Sequence, residues 1–232
     1  MRVTSTRARI GAAIFGVTAA CCESVQQQSA RLTSRATGTI VMNPSSASGV
    51  PKGISVRPAT AAEAYPLLTN MINRAFRSYA VERTGDDERV SPDGKQVASL
   101  MATPRNAFLV AEELKGDASS RVVGCVHVAW SGVTDSNDED VDAHFGMLCV
   151  EDECGGRGIG KLLVSAAEDL CRKELGRENI CMEISVVSFL PKLCRWYEAQ
   201  GYRVKRAIPF PVPGATRHGS HFDLLIMTKT IP

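Results

Sequence analysis

Glycines at 155, 156, 158 and 160, interleaved with Arg157 and Lys161, make VEDECGGRGIGK (150–161) the stretch of this chain best suited to chemistry. Closely spaced glycines let backbone amides turn toward one point, and a helix starting there adds partial positive charge, which suits a phosphate or pyrophosphate. Gly155 to Lys161 also satisfies GxxxxGK, the phosphate loop of nucleotide hydrolases, which needs a following Ser or Thr to hold magnesium. Leu162 stands there instead and cannot ligate a metal, so triphosphate hydrolysis is only the runner-up. Three titratable side chains lie in the apolar runs nearby. His144 carries an imidazole that titrates near neutral pH and can accept a proton. Glu183, between Met182 and Ile184, needs a polar neighbour or a task. Tyr197 has a phenol that can act as a proton donor. Each also has a purely structural reading: a hydrogen-bonded histidine, an ion-paired carboxylate, and a core tyrosine sharing a helix face with Leu193 and Trp196.

These residues must be held by regular elements, and the pattern supplies them from Ile54 onward. ISVRP (54–58) alternates as a strand, and Thr60 can cap a helix in which Ala64, Leu67, Leu68, Met71, Ile72 and Phe76 recur at helical spacing. Gln96 to Met101 reads as a second helix. AFLVAE (107–112) and RVVGCVHVAW (121–130) form a hairpin, and Val141 to Val150 a third strand, whose alternation puts His144, Gly146, Leu148 and Val150 on one face. A helix with Leu163, Ala166, Ala167 and Leu170 inward runs from the glycine turn to about Leu175. A strand (178–187), a helix through Trp196 to Gln200, and the strands GYRVKRA and DLLIMTKT complete the chain. The order β-α-α-β-β-β-α-β-α-β-β predicts one α/β domain with a mixed sheet over 54–232.

FGMLCVEDECGGRGIGKLL (145–163), MEISVVSFLPKLCRWYEAQGYRV (182–204) and PFPVPG (209–214), in that order, resemble the GCN5-related N-acetyltransferase (GNAT) superfamily. Its signature is Gln or Arg, two residues, Gly, one residue, then Gly or Ala; Gly155 departs at the first position, and Gly158 and Gly160 agree. The resemblance implies a mixed, mostly antiparallel central sheet flanked by helices. It further implies acetyl-CoA as co-substrate, and transfer to the primary amine of a small molecule or peptide, directly within a ternary complex. By the same likeness Leu148, Cys149 and Val150 pair with the pantetheine arm, and Gly155, Gly156, Arg157, Gly158, Ile159, Gly160 and Lys161 hold the pyrophosphate. Tyr197 then protonates the departing thiolate. His144 falls where histone acetyltransferases place a glutamate and serotonin N-acetyltransferase a histidine, as the base, with Glu183 in reserve. No neighbour in sequence activates Cys149 as a nucleophile. A non-catalytic acyl-CoA sensor would keep the glycine turn and remains the alternative, ahead of a P-loop-like nucleotide binder.

Composition narrows the partners. The 232 residues carry 27 Lys and Arg against 25 Asp and Glu, which offers no basic face for nucleic acid. Six of those bases stand before Gly53 against one acid, Glu23, so the body is mildly acidic. The leader's apolar stretch, Ile10 to Cys22, is too short for a membrane span. It reads as a disordered tail, a mitochondrial or secretory targeting peptide, or sequence upstream of a start at Met42. Eight cysteines without a CxxC pair suggest thiols in a reducing, cytoplasmic setting. His218 and His221 lack further ligands at metal spacing, so no metal is expected. The acidic run at 135–142 would favour a cationic acceptor.

Overall fold

The computed structural model describes residues 51–83, 89–115, 119–131, 141–209 and 222–232. The leader before Pro51, the histidines at 218 and 221 and most of the acidic run lie outside them. Seven strands and four α-helices follow the expected order. They are β1 (Ile54–Pro58), α1 (Thr69–Arg83), α2 (Lys95–Ala102), β2 (Asn106–Leu114), β3 (Ser120–Trp130), β4 (Ala143–Val150), α3 (Ile159–Leu175), β5 (Ile180–Val187), α4 (Pro191–Ala199), β6 (Arg203–Pro209) and β7 (Asp223–Ile231). No helix among the described residues is long and apolar enough to cross a membrane. The expected helix from Thr60 is interrupted: Tyr65 is extended (φ −140°, ψ 137°), because Pro66 bars the helical conformation to the residue before it. Leu67 is consequently exposed rather than inward-facing.

The sheet order is β1-β2-β3-β4-β5-β7-β6, antiparallel throughout except between β4 and β5. One face packs under α3 and α4, with Phe145, Leu163, Ala167, Leu170, Met182 and Tyr197 buried together. The other packs under α1 and α2, around Leu68, Ile72, Val97 and Phe108. Two irregularities in β4 shape the middle of this sheet. The parallel β4–β5 ladder holds only Ala143 opposite Met182 and His144 opposite Glu183; beyond these the strands part.

The second irregularity is a bulge. Cys149 pairs with Cys125 but Gly146 pairs with His127, so β4 carries one residue more than β3 between those rungs. Met147 takes up the excess at φ +51°. Side chains therefore change face at the bulge: Phe145, Leu148 and Val150 pack on the α3 side, Met147 and Cys149 on the α1 side. The expected common face for His144, Gly146, Leu148 and Val150 is thus wrong. The first two lie on the α1 side and the last two opposite.

Candidate active site

The gap where β4 and β5 part leaves one edge of β4 without a strand partner after His144. At the far end of that edge comes the glycine turn. Gly158 is the N-cap of α3 at φ +82°, a left-handed conformation that glycine adopts without strain. The first helical backbone bond runs from the Leu162 amide to the Gly158 carbonyl at 3.0 Å. The six preceding N–H groups, Gly156 to Lys161, find no acceptor among the described residues. Added to the helix dipole, they make an anion cradle. Lys161 is exposed in the first turn, while the Arg157 guanidinium is spent elsewhere: it bonds Glu113 at 2.7 Å. Glu113 also takes Arg121 at 2.9 Å, and Arg121 pairs with Glu153. This network rivets the turn to β2 and β3, so Arg157 offers its backbone rather than its charge.

At the near end of the gap a polar row crosses four strands. His144 faces Glu183 across the last β4–β5 rung, and both are largely buried. Its ring meets that of His127 edge-on at a centroid separation of 6.0 Å. His127 is buried against Phe108, and its Nε2–H donates to Asn106 Oδ1 at 2.9 Å. Burial depresses the His144 pKa to about 4. Burial first, then the positive charge of a protonated His144 and that of Arg89, depress His127 to about 3. Both imidazoles are therefore neutral at working pH, as a proton acceptor must be.

Tyr197 comes in from the opposite face. Its ring packs on Phe145 of β4 at 6.1 Å, on Trp196 at 4.9 Å and on Tyr202 at 6.1 Å. Burial pushes its phenol well above the usual tyrosine range, so it stays protonated. The hydroxyl makes no hydrogen bond among the described residues, yet no buried side-chain oxygen there lacks a partner, so the hydroxyl must open to solvent. The core reading and the acid reading of Tyr197 are therefore compatible: the ring packs and its tip is free. Leu193, expected on the same helix face, is exposed, and Cys194 takes the inward place.

Residues 104–204 match the family model described as Acetyltransferase (GNAT) domain. This segment is similar to that domain. Over 104 residues, 45% of the chain, the sequence is 29% identical to blasticidin-S acetyltransferase of Streptomyces morookaense; the match spans 65% of that enzyme, just under two thirds. A GCN5-related N-acetyltransferase from Kribbella flavida superposes with a TM-score of 0.54 at 22% identity, covering 78% of this chain and 99% of its own. The phosphinothricin acetyltransferase of Sinorhizobium meliloti, solved with acetyl-CoA, gives 0.53 at 17% identity, covering 77% and 89%. The mixed, mostly antiparallel sheet is the GNAT fold.

Gly155, which departs from the GNAT signature, sits in a tight place. A Cβ on Gly155 would lie 3.2 Å from the Asp152 carbonyl, which already accepts the Gly155 amide at 3.1 Å. Cys149 lies on β4, the strand that the resemblance assigns to the pantetheine arm, but its thiol turns away into the α1 core, 3.3 Å from Cys125 Sγ. It presents no nucleophile to the gap. The six cysteines among the described residues are all free thiols.

Sequence reasoning missed three participants. Asn106 and His127 complete the polar row, and the lone histidine inside VVGCVHVAW was the available signal. Glu168 was also passed over: it is buried on α3, accepts the Tyr202 hydroxyl at 3.0 Å and takes Lys229 Nζ at 2.8 Å. Tyr202 thus ties α3 to the turn before β6, and Lys229 ties it to β7.

Proposed function

We propose that this chain is an acetyl-CoA-dependent N-acetyltransferase that delivers an acetyl group to a primary amine directly, within a ternary complex. The observation carrying this reading is the parting of β4 and β5 between an unpartnered amide cradle and two proton-handling groups on opposite faces. Acetyl-CoA supplies an activated thioester. The backbone of Gly156 to Lys161 receives its pyrophosphate, with Lys161 adding charge, and the free edge of Leu148, Cys149 and Val150 pairs with its pantetheine arm. His144 takes a proton from the amine nitrogen as that nitrogen bonds to the thioester carbon, and Glu183 beside it stabilises the imidazolium. Tyr197 gives its proton to the sulfur as the C–S bond breaks, so the products are the acetylated amine and free thiol. Acid and base on opposite faces suit two substrates entering from two sides, and the turned-away Cys149 argues against an acetyl-enzyme.

The acceptor is a small-molecule or peptide amine, a class that includes the substrate in the name of the Streptomyces relative. The proposed domain runs from 54 to 232, and the free thiols among the described residues favour a reducing, cytoplasmic compartment. The deciding experiment is a thermal shift of the purified chain with acetyl-CoA, followed by a screen of amines and peptides for thiol release. Stabilisation and amine-dependent thiol release are expected. Stabilisation by Mg-ATP but not acetyl-CoA would overturn the reading, and binding without release from any amine would make the chain an acyl-CoA sensor.

A further inference from the structure

Gly146 stands in mid-strand on β4, on the face of His144 and opposite that of Phe145. Glycine weakens a strand, because it adds conformational entropy to the unfolded chain and packs nothing. The bulge at Met147 offers one justification, but the other two are missing at Gly146. Its φ is not in the left-handed region, and a Cβ placed on it would meet no atom within 4 Å among the described residues. Gly124 shows the contrast: a Cβ there would sit 2.8 Å from the Cys149 carbonyl and 3.1 Å from Leu163. Around Gly146 the same face is filled, with Met147, Cys149 and His127 all buried.

A notch one residue wide therefore opens in an otherwise covered face. His144 lies two residues back along the strand, His127 is its cross-strand partner on β3, and the bulge at Met147 follows it. We propose that this notch receives the carbon bearing the acceptor's amine, and that it selects amines on a branched carbon, as in α-amino-acid amides. Ordinary contacts between carbons close to 3.5–4 Å. Its own chain neighbours aside, a Cβ on Gly146 would have at least that clearance from every described residue, so nothing described fills the position that a methyl-sized branch beside the amine carbon would approach. The inference rests on the proposed transfer reaction, in which the attacking nitrogen lies between His144 and a thioester held at the bulge.

Glycinamide and L-alaninamide, which differ by that one branch, are the probes. Acetylation of each by the full chain and by Gly146→Ala is followed by mass spectrometry, with acetyl-CoA affinity and Tm measured for both proteins. The wild type should favour alaninamide in kcat/KM, and Gly146→Ala should cut the alaninamide-to-glycinamide ratio at least tenfold through the alaninamide KM. Acetyl-CoA affinity should stay within twofold and Tm should not fall. A wild-type preference for glycinamide, an unchanged ratio in the variant, or acetylation of neither amine overturns the inference. Failure of the transfer reading itself shows differently, as absence of acetyl-CoA binding or of thiol release with every amine.

Discussion

Acidification from pH 7 to pH 5 should destabilise the folded chain by about 3.5 kcal/mol through His127 and His144 alone. An unfolded histidine titrates at 6.5, whereas burial holds these two at about 3 and about 4 in the folded chain. Both folded values lie below the unfolded one, so between them the unfolded state binds more protons. The stabilisation is complete above the unfolded value and is lost as pH falls from 6.5 toward the folded values. Each imidazole contributes about 1.8 kcal/mol between pH 7 and 5, and the combined slope near pH 5 approaches two protons, or about 2.5 kcal/mol per pH unit. Carboxylates held low by ion pairs, such as Glu63 at about 2 beside Arg57, act chiefly below the ordinary 4.5 and so outside this window. Urea unfolding of the full chain at pH 7, 6 and 5 measures the slope. His127→Gln and His144→Gln should each remove about half of it, and the double variant nearly all. A wild-type stability that is flat over this range, or a slope that survives in the double variant, would refute the burial argument.

Three further outcomes test the site and its support. Tyr197→Phe keeps the packed ring and removes only the free hydroxyl, so kcat should fall by about 10²-fold, the usual worth of a positioned acid, while acetyl-CoA affinity is unchanged; equal turnover would remove the phenol from the mechanism. Gly158→Ala forces a side chain into φ +82° and should cost about 1–2 kcal/mol of stability as well as weakening acetyl-CoA binding, both readable by thermal shift with and without ligand. Glu168→Leu leaves Lys229 and the Tyr202 hydroxyl without their acceptor, which should cost about 3 kcal/mol in urea unfolding. Because Glu168 lies away from the gap, acetyl-CoA affinity of the folded fraction should hold.

The elements were legible because their signals are local. Period-2 alternation marked the strands, period-3.6 spacing marked α3, and the glycines marked its start. One error was local, and the others came where a distant segment decides. Pro66 broke the first helix, a rule that apolar spacing overrode in the reading of that segment. Nothing within 141–150 announces the bulge: Met147 accepts a left-handed φ because β3 pairs with Cys149 on one side and Gly146 on the other. His127 looked like one polar residue in an apolar strand, and its role depends on Asn106 at the start of β2 and on His144 across β4.

The bulge also explains why the expected common face of His144 was partly wrong. Alternation carried Leu148 and Val150 to its face, since a reading by alternation alone assumes an unbroken pleat. In the proposed reaction the crossover has a functional consequence. With a regular strand, the side chains flanking the cofactor edge and the base would share a face, and both substrates would crowd one side of the sheet. Because β4 changes face at Met147, Leu148 and Val150 back the cofactor edge from the α3 side, where Tyr197 lies. His144 and the notch at Gly146 open on the α1 side. The bulge thus separates the thiol-leaving side from the amine-entering side within three residues.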